Sequence, residues 1–288
     1  MVAILEEKDR GLRMRNKLRK SLELVGINLA RNSHSLGLTP YLTFMELLSK
    51  FKPKYNGWDL IRIGAENDGG YLIPNDLESL KFCFSPGSDL LWQFEEDLAD
   101  NFGIKFYICD SADKKPANLS NLQEFTAGWL GPATTSDGFI SLSDWVTSTG
   151  LETEDKILQI DIEGSEYLTL LALPDHLLET FRIIVIELHF LEALKNRWAF
   201  ELVYKPFFEK IFSLYDVVHT HPNNCCGTFK YGNLEFPRLI EVTLHRKNRA
   251  KSILTETSLP HELDSPCVLE NPELLVNWSQ FDELEGQK

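Results

Sequence analysis

Asp161 ends a largely apolar run, Lys156-Ile157-Leu158-Gln159-Ile160, and is followed at once by Ile162-Glu163-Gly164-Ser165-Glu166. Isoleucine and leucine at this density describe a buried strand, and such a strand has no packing use for a carboxylate at its end. Ligands of parallel α/β sheets sit outside the carboxyl ends of the strands, so Asp161 stands where chemistry is done. The pattern repeats. Phe181-Arg182-Ile183-Ile184-Val185-Ile186 delivers Glu187-Leu188-His189, and Tyr215-Asp216-Val217-Val218 delivers His219-Thr220-His221 and then Pro222-Asn223-Asn224. An imidazole with an ordinary pKa near about 6.5 can take a proton from a hydroxyl, which makes His189 and His221 candidate bases. Carboxylates and imidazoles at converging strand ends also suit a divalent metal, with Asp161, Glu187 and His221 as the candidate ligands. The bland alternatives are that Asp161 or Glu163 caps the following helix, and that Glu187 and His189 form a surface pair.

A second group of residues suits a nucleoside. Ser85-Pro86-Gly87-Ser88 follows the short apolar run Lys81-Phe82-Cys83-Phe84 and precedes a helix-like segment, so its small residues let backbone approach a ligand. Asp110 ends the next run, Ile104 to Cys109, and an acid about 20 residues past such a turn is placed to accept hydrogen bonds from ribose. A G-x-G-x-x-G fingerprint is absent, which disfavours a nicotinamide dehydrogenase. Asn67-Asp68-Gly69-Gly70, between two apolar runs, reads first as a hairpin turn.

Positioning these groups requires an alternation of strands and helices. Strands are expected at 81–84, 104–109, 124–130, 156–161, 181–187, 215–219 and about 236–246. Helices are expected at about 89–101, from Ser141 with Ser143 as N-cap, and from about 191 to 212. That alternation implies a mostly parallel sheet covered on both faces. Residues 1–55 read as an N-terminal helical extension with a break at Thr39-Pro40, 56–248 as the α/β unit, and 249–288 as an acidic tail wrapping the surface. The N-terminal helices are the candidate surface for a homo-oligomer.

The 288 residues are 43% hydrophobic and 25% charged, with a net charge of −14, which argues against a nucleic-acid binder that works by neutralising phosphates. Basic residues crowd positions 8–20, a pattern that usually marks a solvated helix face. None of the five cysteines (Cys83, Cys109, Cys225, Cys226, Cys267) has C-x-x-C spacing, and the adjacent pair is no usual disulfide or zinc pattern. A reducing compartment follows. With no signal-peptide pattern and no run approaching the roughly 20 apolar residues of a membrane span, the expected location is the cytoplasm.

Lys156 to Glu166 resembles the K-I-D-V-E-G-x-E signature of the FkbM-like branch of S-adenosylmethionine-dependent methyltransferases. Ile140-Ser141-Leu142-Ser143-Asp144-Trp145 is similar to the helix that precedes it there. Asp68-Gly69-Gly70-Tyr71 and Glu187-Leu188-His189 are similar to elements of a related methyltransferase-like group. The resemblance implies a Rossmann-like class I methyltransferase fold, a seven-strand sheet whose last strand is antiparallel. It implies S-adenosyl-L-methionine as cofactor, with Gly70, Tyr71, Ser85, Pro86, Gly87, Asp110, Ser111, Trp129, Leu130 and Asp161 around it. Asp110 would hold the ribose, Trp129 and Leu130 would flank the adenine, and Asp161 would lie near the reacting centre. The chain departs from the pattern where Phe84-Ser85-Pro86-Gly87-Ser88 replaces D-x-G-A-x-x-G. The activity implied is O-methylation of a small-molecule or sugar-like hydroxyl, with Asp161, Glu187, His189 or His221 orienting or deprotonating it. Methylation of a protein or a nitrogen, and an inactive scaffold of the same fold, are the alternatives.

Overall fold

The computed structural model describes residues 27–29, 35–88 and 92–281. The basic run at 8–20, the first N-terminal helix and the first turn expected at 89–91 lie outside them. Nine strands matter for the site: β1 (Leu60–Gly64), β2 (Gly70–Pro74), β3 (Phe82–Pro86), β4 (Lys105–Asp110), β5 (Gln123–Ala127), β6 (Lys156–Ile160), β7 (Phe181–Leu188), β8 (Tyr215–Pro222) and β9 (Ile240–Arg246). The last seven form one sheet in the order β8-β9-β7-β6-β3-β4-β5. β9 runs antiparallel to both neighbours and the other pairs are parallel. The chain therefore leaves β3 toward β4 on one side and returns to β6 on the other. That reversal opens a crevice above β3 and β6, where ligands of such sheets bind.

Why these segments are central strands is visible in their burial. Every residue of β6 and of β7 is buried, as expected for strands covered on both faces. Lys156 at the base of β6 is fully buried, and its ammonium donates to Thr180 Oγ1 at 2.6 Å. One face of the sheet packs Phe84 between Tyr107 (stacked, 4.8 Å) and Trp145 (edge-on, 5.0 Å). Helices α1 (Tyr41–Ser49), α3 (Leu142–Thr149), α4 (Glu166–Ala172) and α5 (Lys205–Leu214) contribute their apolar stripes to the same core. The opposite face is covered by the β1–β2 hairpin and α2 (Gln93–Phe102), through Tyr71, Ile73, Phe94 and Leu98.

Several expected boundaries move. Ile27–Leu29 pairs with Ser35–Gly37 as a ladder instead of continuing a helix, in a stretch (Asn32-Ser33-His34-Ser35) poor in helix formers. The strand expected at 124–130 splits: Trp129–Gly131 leaves the main sheet and pairs in parallel with Phe139–Ser141. α3 is capped by Ser141, whose hydroxyl accepts the Asp144 N–H at 3.0 Å; Ser143 already lies in the first turn. The helix expected from 191 to 212 begins as a 3-10 turn and is interrupted at Asn196. It widens at 200–204 just before Pro206, which has no N–H to give. Leu234–Pro237 does not continue into β9 but folds back on Thr228–Tyr231. Pro237 ends that ladder.

The C-terminal segment packs down. Thr255–Glu256 pairs with Lys54–Tyr55, Asp264 meets His219 at 2.9 Å, and Asn224 is bonded to Val268 and Asn271. Cys225 and Cys226 are bonded to each other, so the sequence reading of that pair is corrected; Cys83, Cys109 and Cys267 are buried thiols. Among the described residues no helix is long and apolar enough to cross a membrane.

Candidate active site

The crevice is floored by two backbone segments in contact. Asp161 N–H donates to Pro86 O at 3.3 Å, and Gly87 stands at φ +80°, where an added Cβ would lie 1.6 Å from Asp161 O. Only glycine fits there. Over this floor lies a cavity of about 550 Å³, within the range of roughly 300–1,000 Å³ usual for small-molecule sites.

One end suits a nucleoside. Asp110 lines it, buried, with Oδ1 accepting the Ser111 N–H at 2.6 Å. Trp129, Leu130 and Phe139 supply apolar wall beside it. The other end is acidic. Glu166 opens α4 fully buried, and its Oε1 accepts from Ile162 N–H (2.9 Å), Gly164 N–H (3.1 Å) and His189 Nδ1 (3.1 Å). One carboxylate oxygen thus ties the 161–165 turn to the imidazole. Gly164, at φ +100°, leaves no room for a side chain, since a Cβ would meet the Phe190 ring at 2.6 Å. Tyr167 donates to His189 O at 2.7 Å and fixes the backbone behind the ring.

With Nδ1 donating to Glu166, the neutral His189 carries its lone pair on Nε2, which faces the cavity. Around Nε2 lie Glu163 Oε2 (3.5 Å), Asp161 Oδ1 (3.7 Å) and Glu187 Oε2 (3.9 Å). Burial pulls the His189 pKa down, but the Glu166 hydrogen bond and the charges of Glu166, Asp161 and Glu163 outweigh it, and the net shift is upward. Burial pushes Asp161 up to about 7, partly opposed by His189. Glu187 is raised well above the carboxylate range by burial and by Asp161, Glu241 and Asp68.

Next to Glu187 the register places Glu241 directly opposite on β9, and His221 opposite Glu241 on β8. Because β9 lies between, Asp161, Glu187 and His221 do not converge as one ligand set. Among the described residues the convergent groups are Asp161–Glu163–His189, Asp68–Glu187–Glu241 and His221–Glu241–Cys267. His221 faces Glu241 (3.3 Å) and Cys267 (3.8 Å), away from the main cavity.

Of the residues singled out in the sequence, Tyr71, Gly87, Asp110, Trp129, Leu130, Asp161, Glu187 and His189 line the cavity. Ser85 lies fully buried beneath the floor, Pro86 offers its carbonyl to Asp161, and Gly70 is packed against Ala65 O in the hairpin. Ser111 contributes its N–H to Asp110. Sequence reasoning missed Glu95, Gln159 and Glu241, and did not see that Glu166 holds His189. Glu95 had a signal: with Leu98 and Ala99 at i+3 and i+4 it shares the buried face of α2.

The strand order, with an antiparallel strand inserted beside β7 and the site at the crossover, is that of the Rossmann-like class I methyltransferase fold. No protein-family model and no curated protein matches the chain. Among solved structures, human N-acetylserotonin methyltransferase in complex with SAM is similar at 14% identity and a TM-score of 0.29, over 60% of this chain and 49% of that one. Methyltransferase CalO6 is similar at 8% identity and a TM-score of 0.28, over 59% of this chain and 58% of that one. The chain spans about half the length of the solved structures it matches.

Proposed function

We propose that the chain is an S-adenosylmethionine-dependent methyltransferase that methylates a hydroxyl of a small molecule. The observation that carries this reading is one cavity, across the β3/β6 crossover, with Asp110 at one end and a Glu166-held His189 at the other. The residues present fit the cofactor. Asp110 would take the ribose, Trp129 and Leu130 the adenine, and the Gly87–Asp161 floor would admit its backbone-hugging middle. When bound, S-adenosylmethionine supplies an electrophilic methyl group on a sulfonium.

The chain's own residues do the rest. The cavity orients the acceptor and excludes water. His189 Nε2 takes the hydroxyl proton, and Glu166 holds the ring and balances the imidazolium that results. Because His189 must be neutral to act, activity rises as the pH climbs through its raised titration range.

Calorimetric titration with S-adenosylmethionine tests the cofactor, and labelled methyl transfer to hydroxyl and amine acceptors tests the reaction. His189→Gln should keep cofactor affinity and lose transfer to hydroxyls; full transfer by that variant would sink the assignment. A second reading adds a divalent cation held by Asp68, Glu187 and Glu241, favoured by carboxylate oxygens that lie within 4.8 Å of one another. Its chemistry there would be to lower the pKa of an acceptor hydroxyl. Transfer that is unchanged by a chelator would exclude it.

A further inference from the structure

Glu95 is a buried carboxylate with no ion-pair partner among the described residues. It sits in the first turn of α2, 1% exposed, and lines the main cavity with Gln159 and Tyr71. Its Oε1 accepts from Ser85 Oγ, while Oε2 has no hydrogen-bond partner among the described residues. Ser85 Oγ lies also 2.7 Å from Gln159 Oε1, and one hydroxyl has one proton to give. The three side chains therefore hold more acceptor than donor capacity, on the wall of a cavity, next to the floor formed by Gly87. A buried carboxylate oxygen left unpaired is costly, and a cation in the cavity removes that cost. Burial holds its pKa up at about 7, as expected of an acid awaiting a partner.

We propose that Glu95, positioned by Ser85, is the counter-ion for the α-ammonium group at the amino-acid end of the bound cofactor. This rests on the methyltransferase reading above. It also accounts for Ser85 at the end of β3: its hydroxyl aims a carboxylate that comes from the helix below the loop. Asp161, the other acid on the floor, differs in having an imidazole beside it, with His189 Nε2 at 3.7 Å from Oδ1.

The test compares ligands and proteins together, using the full chain. Calorimetry is run with S-adenosylhomocysteine, with its desamino analogue, which lacks only the ammonium, and with 5′-methylthioadenosine, which lacks the amino-acid end. Wild type should bind S-adenosylhomocysteine about tenfold or more tightly than the desamino analogue, the scale expected when one partner of a buried charge pair is removed. Glu95→Gln, which keeps the shape and the Ser85 contact, should erase that preference while holding 5′-methylthioadenosine to within about twofold of wild type. Retained binding of 5′-methylthioadenosine also reports that the variant is folded. An unchanged preference in Glu95→Gln, or equal loss of all three ligands, overturns the proposal and leaves the cofactor reading standing. Wild type that binds none of the three overturns both.

Discussion

Replacing Glu166 by Gln separates a placed base from a histidine that merely lines a cavity. The side chain keeps its shape, and a Gln Oε1 can still accept from Ile162 and Gly164, which now stand at 2.9 and 3.1 Å. What disappears is the charge opposite His189 Nδ1. A hydrogen bond to a charged group contributes about 1.5–3 kcal/mol and a neutral one about 0.5–1.5, so about 1–1.5 kcal/mol of support for the imidazolium is lost. If that support is needed in the transition state, the rate falls about tenfold. Glu166 is also the main group raising the His189 pKa, so the titration moves to lower pH in the variant. A weaker base that is neutral at lower pH gives a deficit that is largest at high pH and narrows as the pH falls. Proton NMR of the His189 ring follows the midpoint without any acceptor substrate, and initial rates against pH follow the chemistry. A midpoint that stays or rises in folded Glu166→Gln would falsify the positioning role.

Glu187→Gln should stabilise the ligand-free protein while impairing transfer. A carboxyl whose folded pKa is raised favours folding below its unfolded pKa and loses that contribution as pH rises through the folded value. The variant's melting temperature should therefore exceed wild type by about 2 °C or more at pH 8 and match it at pH 4; equal melting at both would refute the strain. His245 works in the opposite sense. Burial depresses it to about 4, so the stability it contributes is present above about 6.5 and is lost as the pH falls toward 4. His245→Gln should flatten the acid side of the stability profile measured by urea denaturation, and an unaltered slope would count against it. Gly87→Ala should cost at least about 1–3 kcal/mol and abolish cofactor binding, because its Cβ would collide with Asp161 O; near wild-type affinity by calorimetry would show the floor is not closed.

What the sequence disclosed follows from which signals are local. Asp161 and Glu187 were legible because an acid that ends an apolar run has no packing reason to be there. The sheet was legible from alternation, and its class from the Lys156–Glu166 pattern. Glu241 was not, since in Leu239-Ile240-Glu241-Val242 it reads as the solvent side of a strand. Only pairing on both edges of β9 sets it between Glu187 and His221. The same pairing separates His221 from Asp161 and undoes the ligand set inferred from strand ends alone. Glu166 stood inside the quoted motif, but its partner returns 23 residues later, just past the end of another strand. Val268 reaches the cavity from a segment read only as an acidic tail, held there by Asn224.

In the proposed methyltransferase, one cavity above the β3/β6 crossover holds the cofactor between Asp110 and Asp161. A crystal structure with S-adenosylhomocysteine tests it most directly. The expected result is ribose hydroxyls on the Asp110 carboxylate, adenine against Trp129 and Leu130, and the amino-acid end reaching past Gly87 toward Glu95. Ligand density elsewhere on the molecule, or a ribose away from Asp110, would refute this placement of the cofactor.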